Sequence, residues 1–173
     1  MKKIGLIYGS ETGMTEEITT LIVDNWTVSD IHVMEVSQVK KIDFDTYDFL
    51  LLGLSTWYDG DLQSDWEAYY EEFKTIDFTL KTVAIYGLGD QYGYREYFID
   101  GVGMLAKVIL ENGGNITGYW PIKGYDFTES KALYNADYFY GLAIDEDNQP
   151  ELTQKRVEDW LSIVKDEFSM LLH

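Results

Sequence analysis

Cysteine is absent from the 173 residues of the chain, and histidine occurs only at His32 and His173. Disulfides and thiolate metal sites are therefore excluded. A multi-histidine metal centre or a Ser-His-Asp triad would have to use one of the two histidines. His32 lies in a strand-like run and His173 is the last residue, so neither is promising. We expect a protein without a metal site.

Long apolar runs are also missing, so no segment is expected to span a bilayer. The start of the chain, Met1-Lys2-Lys3 followed by apolar residues, faintly resembles a signal peptide. Its apolar run is too short for one, because Gly9-Ser10-Glu11 ends it. We expect a cytoplasmic protein.

Positive charge is scarce. The chain has 13 Lys and Arg against 31 Asp and Glu, a formal net charge of −18. A surface this acidic repels nucleic acids and anionic membranes, and it attracts the basic faces of partner proteins. The alternative is that the acidity only keeps the protein in solution, and composition leaves both interpretations open.

Strand-like and helix-like segments alternate along the whole chain. Apolar runs predict strands at residues 3–8, 31–36, 49–54 and 82–86, and amphipathic patterns predict helices near residues 14–26, 62–74, 102–110 and 157–168. This alternation is typical of an α/β protein in which helices cover both faces of a parallel sheet. It predicts a single domain over residues 1–173 that is a three-layer doubly wound fold.

The segments 116–120 and 138–144 both resemble strands, with an aromatic and polar stretch between them. The economical interpretation is one edge strand that a long loop interrupts. Loops of this length are usually functional. The alternative is a packed surface loop.

A glycine- and hydroxyl-rich turn, Gly9-Ser10-Glu11-Thr12-Gly13-Met14-Thr15, connects the first strand to the first helix. Its glycines let backbone N–H groups point inward, and the helix N-terminus adds partial positive charge. We expect this turn to bind a phosphate without any basic residue. The alternative is helix capping by Thr12 or Thr15. The turn matches neither the Walker A loop nor the dinucleotide fingerprint.

Aromatic residues follow the third and fourth strands, in Ser55-Thr56-Trp57-Tyr58-Asp59-Gly60 and in the segment from Gly87 to Tyr94. Because the carboxyl ends of parallel strands meet at one edge of the sheet, these turns and the phosphate turn should lie together. Trp57 and Tyr94 can then stack on a flat ring. The combination predicts a site for a planar cofactor with a phosphorylated tail.

In these motifs, and in Leu62-Gln63-Ser64-Asp65-Trp66 and Gly141 to Gln149, the chain resembles the flavodoxins of the long-chain type. The motifs run in family order over nearly the whole chain. The resemblance implies a five-stranded sheet of order 2-1-3-4-5 whose last strand is interrupted. It also implies noncovalently bound flavin mononucleotide (FMN).

The resemblance assigns the cofactor-binding residues by position. The phosphate would be wrapped by Ser10, Glu11, Thr12, Gly13, Met14 and Thr15. Trp57 and Tyr94 would sandwich the ring, with Ser55 and Thr56 in the same turn as Trp57. Backbone at Tyr58, Asp59, Gly60, Leu88, Gly89 and Asp90 would meet its polar edge, and Asp147 would approach the ribityl chain or the phosphate loop.

Three positions depart from the family pattern. Met14 stands where a polar residue is common, Ser55 where proline is common, and Leu88 where threonine is frequent. Semiquinone stability in the family depends on the peptide after the tryptophan, here Tyr58–Asp59, turning its carbonyl toward the flavin. That reorientation demands a positive φ at a central residue of the turn, which Asp tolerates better than Tyr.

The resemblance implies a low-potential carrier that moves one electron at a time and turns over no substrate of its own. Its implied partners are redox proteins with basic docking faces, such as ferredoxin-NADP reductase, photosystem I or another low-potential acceptor, and we expect a monomer. One alternative is an FMN-dependent NAD(P)H or quinone reductase on the same fold. Another is a phospho-accepting receiver domain, whose acidic residues after the first strand are missing here, where Gly9-Ser10 stands.

Overall fold

The computed structural model describes residues 2–172, so His173 and the first residue of the Met1-Lys2-Lys3 segment lie outside the described part. The strands are β1 (Ile4–Tyr8), β2 (Ile31–Glu35), β3 (Phe49–Trp57), β4 (Asp61–Leu62), β5 (Thr82–Leu88), β6 (Asn115–Thr117), β7 (Trp120–Pro121), β8 (Tyr138–Phe139) and β9 (Leu142–Ile144). The helices are α1 (Met14–Asn25), α2 (Lys41–Phe44), α3 (Ser64–Phe73), α4 (Asp100–Glu111) and α5 (Thr153–Leu172).

The main sheet has the order β2-β1-β3-β5, with β6 and β9 sharing the edge position beside β5. Its neighbouring strands along this path run parallel. Strand β6 pairs with the first half of β5, from Thr82↔Asn115, and β9 pairs with the second half, from Tyr86↔Leu142. The predicted doubly wound sheet of order 2-1-3-4-5 with an interrupted last strand is therefore confirmed.

Two apolar cores lie on the two faces of the sheet. On one face, α1 and α5 pack against it through residues such as Ile18, Ile22 and Trp160. On the other face, α3 and α4 contribute Trp66, Phe73 and the apolar side of α4. Each helix thus places an apolar stripe on the sheet, as the periodicity predicts.

The two segments predicted as parts of the edge strand, 116–120 and 138–144, are longer than the strands that form. Strand β6 ends at Thr117, and β9 begins only at Leu142. Residues 120 and 138–139 leave the main sheet and form a separate antiparallel ribbon, in which Trp120 pairs with Phe139. The chain turns away at Gly118, whose φ of 75° is a left-handed conformation. Trp160 holds this turn by donating its indole N–H to the Gly118 carbonyl at 2.8 Å.

The predicted start of the third helix also differs from the structure. Leu62 belongs to β4, which pairs with the end of β3 through Thr56↔Leu62. The helix begins at Ser64 because the Gln63 side chain accepts a hydrogen bond from the Trp66 N–H. The short helix α2 was not predicted, since a single turn is too short to show a period.

Residues 118–141, which we call the insertion, pack on the molecule rather than extend from it. Phe98 contacts Tyr125, Phe127 and Phe139 of the insertion, with ring centroids 5.6 to 5.9 Å apart. The Ser130 hydroxyl donates to the Phe98 carbonyl at 2.5 Å. The insertion therefore covers the start of α4 and carries an aromatic cluster of its own.

Within residues 2–172, no helix combines the length and the hydropathy that a membrane span requires.

Gly103→Ala should detach the insertion from α4. A Cβ at Gly103 would overlap the carbonyl oxygen of Lys131, so backbone has to move. We expect the free energy of unfolding to fall by about 1–3 kcal/mol, although alanine is normally the better helix former. Urea unfolding followed by circular dichroism measures the change.

The matched control is Gly101→Ala on the same helix. A Cβ there would meet the tips of the Leu54 and Thr56 side chains, at 2.8 and 3.1 Å, and side chains yield more easily than backbone. An equal loss of stability in both variants would contradict the specific contact with Lys131.

Candidate functional site

A half-open cavity of about 240 Å³ lies at the carboxyl edge of the sheet. Its walls come from the turn after β1, from the last residues of β3 and β5 with the turn after β5, and from the segment after β9. Strands β3 and β5 are longer than the sequence predicts, since they continue to Trp57 and Leu88. The lining residues are Glu11, Thr12, Met14, Thr15, Ser55, Thr56, Trp57, Leu88, Gly89, Asp90, Tyr94, Glu146 and Asp147. The three predicted turns and the segment that contains Asp147 are thus brought together at one edge of the sheet, as the parallel topology requires.

Most of the residues predicted for the site line this cavity. Ser10, Gly13, Tyr58, Asp59 and Gly60 do not. Ser10, Gly13 and Tyr58 each adjoin a lining residue in the chain, whereas Asp59 and Gly60 lie further along the turn. Glu146 lines the cavity and was not predicted. Nothing in the sequence distinguishes it from its acidic neighbours, since only the backbone decides which of three consecutive carboxylates faces inward.

The turn after β1 presents free backbone donors. Gly13 is the N-cap of α1 in a left-handed conformation, with φ 90°, and no side chain caps the helix. The alternative that Thr12 or Thr15 caps α1 is therefore wrong. Within the described residues, the N–H groups of Thr12, Met14 and Thr15 donate to no other group. Unpaired N–H groups at a helix N-terminus favour an anion.

The Glu11 carboxylate is bound by helix α3 and not by these donors. Its Oε1 atom accepts a hydrogen bond of 2.7 Å from the Ser64 N–H, at the start of α3. A carboxylate at a helix N-terminus is stabilised by the helix dipole. Glu11 therefore ties the turn after β1 to α3, and its position beside the donors does not depend on binding a ligand.

The turn after β3 carries the backbone strain of the site. Tyr58 has a φ of 44°, whereas Asp59, the residue that tolerates this conformation better, is not left-handed. A left-handed non-glycine residue costs on the order of 1 kcal/mol. The Tyr58 side chain is 63% exposed and stands edge-on to Tyr94, with ring centroids 6.3 Å apart.

Trp57 has an orphaned polar atom. Its indole N–H is buried and has no hydrogen-bond partner among the described residues. Buried donors are normally satisfied, so a polar group of a ligand is a natural partner for it.

Asp90 shapes the turn after β5. Its Oδ1 atom accepts hydrogen bonds from the Tyr92 and Gly93 N–H groups, at 3.0 and 2.6 Å, and from the Asn148 side chain at 2.8 Å. Burial raises the pKa of the Asp90 carboxyl, but these hydrogen bonds lower it by more, so the net shift is downward. The ionised carboxylate therefore holds the turn that presents Tyr94.

A buried polar network fixes this turn to the end of β9. The Asp145 side chain is fully buried and its Oδ2 atom accepts from the Gln91 side chain at 2.7 Å and the Gln91 N–H at 3.1 Å. The Gln91 Oε1 atom in turn accepts from the Asp126 N–H of the insertion at 2.6 Å. These supporting residues were missed in the sequence, since they join distant segments without a local pattern.

The cavity is acidic. No Lys or Arg lines it, while Glu11, Asp90, Glu146 and Asp147 do. The pKa of the Asp147 carboxyl is raised by burial and by the charges of Asp90 and Asp145. An anion can be held here only by uncharged donors, while the carboxylates disfavour added negative charge elsewhere in the cavity.

Known proteins of the same architecture were found by comparison. A family model described as Flavodoxin matches residues 6–160. The chain is 49% identical to a flavodoxin of Synechocystis sp. over 166 residues, which covers 95% of this chain and 97% of that protein. It is 46% identical to a flavodoxin of Nostoc sp. over 169 residues, with 98% and 99% covered.

A solved structure agrees with these relatives. The crystal structure of Fusobacterium nucleatum flavodoxin bound to flavin mononucleotide superimposes with a TM-score of 0.89 at 33% identity, covering 96% of this chain and 99% of that one. A match over most of the chain, together with relatives of nearly equal length, establishes the family: this chain belongs to the flavodoxins.

Proposed function

We propose that this flavodoxin is an electron carrier that holds FMN noncovalently and passes one electron at a time between redox proteins. The proposal rests on one observation, which is that three features meet in the same cavity. These are the free N–H groups after β1, the aromatic side chains of Trp57 and Tyr94, and the acidic lining. They match the phosphate, the ring and the redox behaviour of a flavin nucleotide.

The described residues fit this cofactor. Unpaired backbone donors and the Ser10, Thr12 and Thr15 hydroxyls suit a phosphate without a basic residue. The open space around Gly13, where a Cβ would meet nothing within 4 Å, leaves room for it. The orphaned indole N–H of Trp57 is a further donor at the same site.

Each wall of the cavity has a proposed role. Residues Ser10, Glu11, Thr12, Gly13, Met14 and Thr15 would hold the phosphate, with Glu11 contributing through its backbone because its carboxylate is engaged by Ser64. Trp57 and Tyr94 would cover the ring faces, supported by Ser55 and Thr56. Backbone groups of Tyr58, Asp59, Gly60, Leu88, Gly89 and Asp90 would contact its polar edge, and Asp147 would lie near the ribityl chain.

The protein tunes the potential through its charges. Bound FMN supplies reversible one-electron chemistry. The carboxylates of Asp90, Glu146 and Asp147 oppose additional negative charge in the cavity, each by on the order of 1 kcal/mol or more at reduced dielectric. Aromatic walls exclude water and so weaken the screening of these charges. Because reduction adds negative charge to FMN, these carboxylates would lower the reduction potential of the bound cofactor.

The acidity also suits the partners that we propose. A chain with a net charge of −18 attracts basic docking faces, such as those of ferredoxin-NADP reductase, photosystem I or another low-potential acceptor. We infer small, transient contacts with these partners. The cytoplasmic location and the monomeric state predicted from the sequence stay predictions.

We expect the Thr12 hydroxyl to strengthen FMN binding only by donating a hydrogen bond to the phosphate. Thr12→Val removes one donor to a charged group, worth about 1.5–3 kcal/mol, so we expect FMN to bind about 10- to 100-fold more weakly. Riboflavin, which lacks the phosphate, should bind weakly to both proteins and with equal affinity. Quenching of flavin fluorescence by the apoprotein measures both.

The control for this experiment is Thr20→Val, which removes an exposed hydroxyl of α1 that donates to the Glu16 carbonyl outside the cavity. It should leave both affinities unchanged. If Thr12→Val weakened riboflavin as much as FMN, the phosphate would not be bound by this turn. An apoprotein that takes up no flavin at all would refute the proposed function.

Replacing Tyr58 with glycine should widen the gap between the two one-electron potentials of the loaded protein. Glycine adopts positive and negative φ without the strain that Tyr58 bears at 44°. Both orientations of the 58–59 peptide are then open to it, so reorientation toward the flavin becomes easier. About 1 kcal/mol of relief corresponds to about 40 mV for one electron. Spectra recorded during stepwise anaerobic reduction give both potentials.

Tyr58→Ala separates the backbone effect from the loss of the exposed ring, because alanine keeps the Cβ. We expect the gap to widen only with glycine. An equal change in both variants would assign the effect to the aromatic ring, and a narrower gap with glycine would contradict the strain argument.

Electron transfer with ferredoxin-NADP reductase should depend on ionic strength. Docking by charge predicts rates that fall, or pass through an optimum, as salt rises through the range where the Debye length is about 10 Å. Stopped-flow kinetics at several salt concentrations measure this. Rates that do not depend on salt would count against docking by charge, and the potentials measured in the same buffers control for effects on the flavin.

A further inference from the structure

A buried carboxyl group lies directly beneath the turn that follows β3. Asp100 is the first residue of α4 and only 1% exposed. A Cβ built on Gly60 would lie 2.8 Å from the Asp100 Oδ2 atom and 3.5 Å from its Cβ. The carboxyl therefore packs against the backbone of Gly60, with no side chain between them.

The other carboxyl oxygen is used by the insertion. Asp100 Oδ1 accepts a hydrogen bond of 2.8 Å from the Lys131 N–H. The next residue of α4, Gly101, donates its N–H to the Thr56 hydroxyl at 3.0 Å. The start of α4 thus contacts Thr56, just before the turn, and Gly60, its last residue, and it also accepts a hydrogen bond from the insertion.

The surroundings of Asp100 favour its neutral form. Burial raises the pKa of the Asp100 carboxyl above its ordinary value, the hydrogen bond from the Lys131 N–H and the charge of Lys131 lower it, and the charge of Glu129 raises it, with a net upward shift. On the turn side, Gly60 is flanked by the exposed residues Asp59 and Asp61, and the Tyr97 ring lies 3.3 Å from the position of a Gly60 Cβ. A carboxyl in this position changes charge while in contact with the turn.

We propose that Asp100 is a positioning residue for the turn formed by Trp57, Tyr58, Asp59 and Gly60, and that gain or loss of its proton changes the geometry of that turn. The ionised Oδ2 atom can only accept a hydrogen bond, so it favours a turn that directs an N–H group toward it. The protonated group can donate, so it favours a turn that directs a carbonyl oxygen toward it. The turn already bears strain at Tyr58, so a small difference of this kind is enough to shift it.

The consequence for the cofactor rests on the proposed function. Trp57 of this turn lines the cavity, so a movement of the turn changes the surroundings of the flavin. The one-electron potentials of the loaded protein should then vary with pH across the titration of Asp100. The movement of the turn itself requires no cofactor and is measured on the apoprotein.

The test is a pH titration of the apoprotein by NMR. Asp59 and Asp61 flank Gly60 in the chain and would shift its amide when they titrate, so the parent for the experiment is Asp59→Asn/Asp61→Asn. The carboxyl carbon of Asp100 reports its own titration, and the Lys131 amide, its direct donor, should follow it. We expect the Gly60 amide to titrate with the same midpoint, above that of an exposed aspartate.

Asp100→Asn is the matched variant, because asparagine keeps the acceptor for Lys131 and imitates the protonated carboxyl. In it, the Gly60 amide should hold the low-pH position of the parent at every pH. Glu129→Gln is the control, which should move the midpoint of Asp100 downward without abolishing the titration of Gly60. A Gly60 amide that does not respond when Asp100 titrates, or whose response persists in Asp100→Asn, would overturn the proposal.

Stability gives a second readout. Because the pKa of Asp100 is raised in the fold, its stabilising contribution is fully present below the unfolded pKa and is lost as pH rises through the folded pKa. The parent should therefore gain stability relative to Asp100→Asn as pH falls through that range. A constant difference would show that Asp100 does not titrate with the fold, which would also overturn the proposal.

The loaded protein completes the test. If FMN binds, its one-electron potentials should vary more with pH in the parent than in Asp100→Asn. Potentials with the same pH dependence in both proteins would overturn the effect on the flavin. If no FMN binds, the proposed function fails while the titration of Gly60 still decides the role of Asp100.

Discussion

Strand β3 is the element on which both the cores and the cavity depend. Its residues 49–53 pair with β1 on one side, and its residues 49–55 pair with β5 on the other. Its alternating side chains divide between the cores, with Leu50, Leu52 and Leu54 in one and Phe49 and Leu51 in the other. The strand then continues without a break to Trp57, so the strand that contributes to both cores also sets the position of an aromatic wall of the cavity.

Much of the fold could be predicted because strong local signals coincide with the final structure. Apolar runs identified the inner strands, since strands covered on both faces are apolar at nearly every position. The prediction failed where tertiary contacts override local pattern. Trp120 and Tyr138 belong to apolar-aromatic runs, yet the chain leaves the sheet at Gly118 because Trp160 holds that turn. The pairing of Leu62 with Thr56 likewise depends on a strand that lies elsewhere in the chain.

The sequence predicts which turns form the cavity, but it does not predict the hydrogen bonds that connect them. Topology alone places the ends of parallel strands at one edge, so the lining followed from the sequence once the strands were known. The direction of individual side chains did not. Glu11 belongs to the turn after β1 but bonds to α3, and the left-handed conformation falls on Tyr58 rather than on Asp59. Gln91 and Asp145 meet across distant segments, which no local pattern indicates.

The division of the edge position between β6 and β9 has a kinetic consequence. The half of β5 far from the cavity pairs with β6, which follows it after one helix, whereas the half beside the cavity pairs with β9, which arrives only after the insertion. Closing a longer loop costs more chain entropy, and pairings between distant residues slow folding. We expect the pairing of Leu88 with Ile144 to form late in folding. The cavity wall and the final strand pairing of the sheet would then be completed in the same step.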